Sequence, residues 1–194
     1  IISLESFFLG TWLSPIEYTK QYVQNRKPDG ENKMSRHIQL ETGMSLTGSN
    51  ADERVPIKPS EEGIILSNLY NKLAKIKGLP IHNVNVPISP IDIKSLTNEL
   101  WTNRGKSLLI SNSNDVNIQI LIVTINDLLG NYGNTIDLNT PLNVKQGIDS
   151  EMEALVLDME KGNIDALIIN NVNPAYDYPD ADRFKTGLNN LKLS

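Results

Sequence analysis

Short apolar runs alternate with stretches of helical spacing along this 194-residue chain, and that alternation leaves few architectures open to it. Ile1–Leu4, His37–Leu40, Val55–Ile57, Leu108–Ile110 and Ala166–Ile169 each read as a strand. Pro15, just after a potential N-cap at Ser14, opens a helix through Tyr18, Tyr22 and Val23, and the polar stretch Lys27–Lys33 follows it. Ser60-Glu61-Glu62 supplies a cap and two acids to a second helix, which should bury Ile65, Leu66, Leu69, Leu73 and Ile76. Ser89-Pro90 starts a third, with Leu96 and Leu100 on one face. Asn114–Leu129 is apolar over much of its surface, as expected of a helix sandwiched in a core, and Gly130 suits its C-terminal cap. Asp149–Lys161 turns Met152, Leu155, Val156 and Met159 inward and closes at Gly162. Strands separated by helices favour a mostly parallel sheet with right-handed crossovers, an α/β fold that is Rossmann-like and doubly wound.

The last strand, Ala166–Ile169, runs into Asn170–Asp180 and then a helix at Ala181–Leu188. Open α/β sheets hold ligands where a parallel strand ends and a helix begins, so this loop is a candidate site. Asp177, Asp180 and Asp182 gather around Pro179, in a pattern that serves either a hard cation or a turn in which Asp180 caps the helix. His37, beside a strand, and His82, in a Pro-flanked loop, are too few for a multi-His metal centre and read as structural. Gly130-Asn-Tyr-Gly133 follows a helix rather than opening one, so it reads as a turn, not a phosphate cradle. Neither a Gly-x-Gly-x-x-Gly loop nor a Gly-x-Ser-x-Gly elbow occurs.

Composition narrows the function classes. Cysteine is absent, which removes disulfides, thiolate metal sites, iron–sulfur ligation and cysteine nucleophiles from this chain. A net charge of −5 argues against broad nucleic-acid binding. Lys72, Lys75 and Lys77 form a small basic cluster that reads as the solvated end of a helix, where cations suit the dipole. The longest apolar run, Ile118–Ile125, is broken by Gln119 and Thr124 and is far short of the roughly 20 residues that span a bilayer, so no direct membrane insertion is expected. The length suits one α/β domain over residues 1–194, and the apolar start at Ile1-Ile2 reads as the interior of a larger subunit from which the piece was excised.

Several segments together resemble the molybdopterin oxidoreductase superfamily, the group containing formate dehydrogenases and dimethyl sulfoxide reductases. Gly48–Gly63, with an alanine-aspartate step at Ala51-Asp52 and a Pro59-Ser60-Glu61-Glu62 turn, is similar to that family's alanine-aspartate step and the Pro-Gly-Thr-Asp turn opening a helix. Gly105–Ile110 and Ile125–Asn134 resemble the next strand and helix end. Asn173-Pro174 resembles a loop of Gly-x-Asn-Pro type, and Ile1–Phe8 occupies the equivalent place at the start. The departures fall on the cofactor grips: Ser6-Phe7-Phe8 stands for Asn-Pro, Leu40-Glu41-Thr42 for aspartate-proline-arginine, and Ser60 and Glu62 for the Gly and Asp of the turn.

With those departures the chain looks closest to the large iron–sulfur subunit of bacterial alternative complex III, whose molybdopterin-enzyme-like domain lacks the molybdenum cofactor. The resemblance implies a structural, non-catalytic domain on the periplasmic side of the bacterial inner membrane, with other subunits of a respiratory quinol oxidoreductase as partners. It implies no cofactor in this domain, iron–sulfur clusters elsewhere in the subunit, and vestigial grips at Asn171, Asn173, Asp177, Ser60 and Glu62. Two other readings stay open. One is the binding domain for molybdopterin guanine dinucleotide of an active molybdenum enzyme, with Asn171, Asn173 and Asp177 on the dinucleotide. The other is a small-ligand or nucleotide-binding module that reuses the strand-end crevice.

Overall fold

A computed structural model describes residues 1–27, 34–84, 91–142 and 147–193. The chain divides into two compact units, Ile1–Val144 and Lys145–Ser194.

The first unit is built on four parallel strands, β1 (Ile2–Leu4), β2 (Ile38–Glu41), β3 (Glu53–Pro56) and β4 (Leu109–Ser111), in the order β3-β2-β1-β4. This is the order of the first four strands of a doubly wound nucleotide-binding sheet, so the α/β expectation holds at the level of an all-parallel sheet flanked by helices. Ile2 pairs with Ile38 and Leu109, and Leu4 with Leu40, which puts these side chains on one face. They form one core with α3 (Glu62–Lys77), α4 (Ile93–Thr102) and α5 (Val116–Leu128), through Ile65, Leu69 and Leu73, Leu96 and Leu100, and Ile122 and Ile125. The other face carries Ser3, His37, Gln39 and Glu41, all buried, beside α1 (Pro15–Gln24) and the short α2 (Leu46–Ser49). A sheet buried on both faces explains why alternation between apolar and polar residues along β2 leaves no exposed side.

Several local expectations need correction. Ser60 does not cap α3: Pro59–Glu61 forms a 3₁₀ turn, closed by the Lys58 amide donating to Glu61 Oε2 at 2.9 Å, and the helix opens at Glu62. Ile76 is exposed rather than buried: it continues the stripe of Ile65, Leu69 and Leu73, but in the last turn of α3, past the buried part of that stripe. Helix α5 is not sandwiched, since Val116, Ile120 and Val123 face outward while Ile122, Ile125 and Leu128 pack inward. Ser14 stands at the N-cap of α1, yet its side chain makes no capping bond. Ser89-Pro90 lies outside the described residues; α4 begins at Ile93, with Asp92 accepting from the amides of Lys94 and Ser95.

The second unit is helical: α6 (Asp149–Glu160), α7 (Pro174–Asp177) and α8 (Ala181–Asn189) enclose Val156, Met159 and Phe184. Gly187 lets α6 and α8 close, because a Cβ there would lie 2.9 Å from Met159 Cβ. Arg183 donates to Glu160 Oε1 at 2.8 Å and to Glu153 Oε1 at 2.5 Å across the same pair of helices. Asp180 caps α8 through the Arg183 amide, as the turn reading expects. The expected strand Ala166–Ile169 is not one. Ala166 makes a single bridge to Leu193, and Ile168 is 93% exposed.

Candidate functional site

In a sheet of this order, the crevice for ligands lies beyond the carboxyl ends of the strands, where β1 is flanked by β2 and β4. Side chains from this unit occupy that place. As the chain leaves β1, Glu5 adopts a left-handed backbone (φ 53°), and its Oε1 accepts from the Thr42 amide at 2.7 Å and the Thr42 hydroxyl at 2.5 Å. The exits of β1 and β2 are thereby tied together. Phe7 follows, its ring lying over Gly10 so closely that a Cβ at Gly10 would meet Phe7 Cζ at 2.0 Å. Phe8 turns back from this edge and is buried against the rings of Tyr22 and His37, the latter just before β2, with centroids 5.5 and 5.4 Å away and the other two rings 5.5 Å from each other.

From His37 a buried polar row runs along β2. His37 Nε2 lies 3.1 Å from Gln39 Oε1, and Gln39 Nε2 donates to Glu41 Oε2 at 3.3 Å and to the Ser6 carbonyl at 3.5 Å. Those two acceptors fix the orientation of the Gln39 amide, which assigns the proton of the neutral imidazole to Nε2. The Tyr22 hydroxyl is 3.1 Å from His37 Nδ1 and 3.0 Å from the Asn50 carbonyl. Glu41 accepts from the Ser45 amide and hydroxyl, at 3.0 and 2.6 Å, and from Arg54 Nε at 2.6 Å. Burial alone would raise the Glu41 carboxyl, but the bonds from Ser45 and Arg54 outweigh it and hold the group below its ordinary value. Burial holds the His37 ring neutral, lowering its pKa to about 4. Asp52 receives Arg26 in two bonds and the His37 amide at 2.7 Å, and the Arg26 bond above all brings it down to about 2.

At the end of β4, Ser111 donates through its hydroxyl to Glu62 Oε1, and the Ser113 amide donates to Ser111 Oγ at 3.0 Å. Asp115 caps α5 by accepting from the amides of Asn117 and Ile118. Glu62 is buried, and its carboxyl is raised first by burial and then by the charges of Glu5 and Asp115, against the opposing Ser111 bond. A shallow depression of about 380 Å³ at the start of α1 is lined by Leu9, Gly10, Pro15, Ile16 and Thr19.

These residues do not fit the phosphates of a dinucleotide. The carboxylates of Glu5 and Asp115 stand close enough to act on that of Glu62, so an anion would add to the repulsion there. The first amides of α5 are already taken by Asp115, and Pro15 removes a donor from the start of α1.

Of the five positions expected as vestigial grips, Glu62 alone enters this edge, where Thr42, from one of the departing segments, also stands. Ser60 is exposed on the 3₁₀ turn before α3. Asn171, Asn173 and Asp177 are exposed residues of the second unit; Asn171 is left-handed (φ 55°), and the Asn173 carbonyl accepts from the amides of Tyr176 and Asp177. Glu5, Ser111 and the row from His37 to Glu41 were not foreseen as a group. The signal for the row is the spacing His37-x-Gln39-x-Glu41 against Ile38 and Leu40, which a two-residue strand period places on one face. No protein-family model matches the chain, and no curated protein matches it.

Proposed function

We propose that this chain is a structural, non-catalytic part of a membrane-associated respiratory quinol oxidoreductase subunit, of molybdopterin-oxidoreductase type. The observation that carries the reading is the occupied strand-end crevice: as the chain leaves β1, where the family-like pattern calls for Asn-Pro, Glu5 bonds the Thr42 amide and hydroxyl, and Phe8 packs away against Tyr22 and His37. Glu62, standing for the Asp of the phosphate-side turn, is buried against Ser111. The strand order supports a common scaffold with enzymes of that type, and the carboxylates along its edge argue against retention of their dinucleotide. In this reading the iron–sulfur clusters belong to another part of the subunit, the domain sits on the periplasmic side, and its role is to hold surfaces for neighbouring subunits. None of the described helices is long and apolar enough to cross a membrane, which accords with attachment through partners.

Molybdenum and pterin content of the purified full subunit tests the proposal. Substoichiometric traces of both are expected. One molybdenum and its pterin per subunit would sink the reading in favour of an active molybdenum enzyme.

A further inference from the structure

Residues 63–91 contain no Asp or Glu, in a chain with 23 acidic residues, and the same stretch carries Lys72, Lys75 and Lys77. The fold gathers these lysines at the C-terminal end of α3, roughly 15 to 23 Å along the helix from Glu62 at 1.5 Å per residue. All three are exposed, and among the described residues none pairs with a carboxylate. Aliphatic side chains stand among them: Ile76 is 46% exposed, Leu79 42% and Ile81 53%. Lys72, Lys75 and Ile76 share one helical face.

The segment after the helix is held in place. Gly78 ends α3 in the left-handed conformation (φ 70°), and the Leu79 amide donates to the Ala74 carbonyl at 2.9 Å. Asn71 grips His82 at both backbone groups, donating to its carbonyl at 2.9 Å and accepting from its amide at 2.7 Å. Tyr70 donates to the Pro80 carbonyl at 3.2 Å and stacks on the His82 ring, 4.8 Å between centroids. Leu79 and Ile81 are thus displayed on an ordered return of the chain.

We propose that this end of α3 is a docking surface for an anionic lipid bilayer, with Lys72, Lys75 and Lys77 at the headgroups and Ile76, Leu79 and Ile81 seated at the acyl boundary. Charge complementarity selects an anionic occupant, because the patch is positive on a chain of net charge −5. The interleaved aliphatic groups select lipid over an acidic protein face. Lysine stems reach up to phosphates while branched apolar side chains sit below them, whereas carboxylates on a protein would meet Ile76, Leu79 and Ile81 directly. This surface does not rest on the respiratory reading; a chain with no electron-transfer role would carry it equally.

The test is flotation of the full chain with phosphatidylcholine vesicles, with or without phosphatidylglycerol. Binding is expected only with the anionic lipid, and is expected to fall as salt shortens the screening length from about 10 Å at 0.1 M to about 3 Å at 1 M. Joint replacement Lys72→Gln, Lys75→Gln and Lys77→Gln should weaken it on the order of a hundredfold. Joint replacement Ile76→Ser, Leu79→Ser and Ile81→Ser should also weaken it. The control Lys94→Gln, Lys106→Gln and Lys161→Gln, of equal charge change at exposed positions, should not. Absence of binding to the anionic vesicles, equal loss in the control, or full binding by the serine variant would each overturn the proposal, the last in favour of an acidic protein partner. Melting temperatures of the variants separate lost binding from lost folding.

Discussion

A methyl group on Gly48 would stand 1.9 Å from Glu41 Oε1, so this glycine is fixed by the buried carboxylate it faces rather than by its backbone angle. Gly48→Ala must displace Glu41 from Ser45 and Arg54, and a loss of about 1–3 kcal/mol in urea unfolding is expected. A change within experimental error would mean that the row on β2 is loosely held. His37 gives a pH signature. Its ring titrates near 6.5 when unfolded and at about 4 when folded, so the folded chain binds fewer protons in between. The stability owed to the neutral ring is therefore complete above pH 6.5 and is lost as pH falls toward 4. Asp52, from 3.8 unfolded to about 2 folded, adds a second loss below that. Unfolding midpoints between pH 7 and 4 should fall, and His37→Gln should flatten that decline; an unchanged slope in the variant would assign it to other groups. Glu62 has the opposite sign. Its carboxyl is raised on folding, so its ionisation opposes folding above its unfolded value and costs nothing below it. Glu62→Gln should raise stability at neutral pH, with the gain vanishing in acid, and a loss at neutral pH would contradict a strained carboxylate.

At the scale of elements, helix caps and close approaches give local tests. Asp115→Ala removes both capping bonds of α5 and should cost about 1 kcal/mol. Gly187→Val should push α8 off α6 and lower the hydrogen-exchange protection of both helices; unaltered protection would show that Met159 moves aside freely. Helices α3, α5 and α6 were legible because a buried stripe repeats with helical period, α1 because Pro15 opens it, and β1 and β2 because apolar side chains recur between breaks. Ala166–Ile169 was misread for a physical reason. Four apolar residues in a row look the same whether they are paired in a sheet or left exposed, and only the partner distinguishes them. The outward Val116, Ile120 and Val123 of α5 misled in the same way, since apolar character alone does not say which face is covered. Glu62 was found through a loop pattern, but its burial against Ser111 joins residues 49 positions apart, a contact that no local spacing encodes.

For the molecule as a whole, the strand order and the filled carboxyl edge lead to one expectation: a scaffold built like a nucleotide-binding sheet with its crevice occupied by Glu5, Thr42 and Glu62. The most direct measurement is the unfolding free energy of the chain with and without guanine nucleotide, the nearest soluble stand-in for the dinucleotide. A ligand at about 100 times its dissociation constant would add about 2.7 kcal/mol. An unchanged free energy at millimolar nucleotide is the expected result; a gain that rises with nucleotide concentration would contradict a closed crevice.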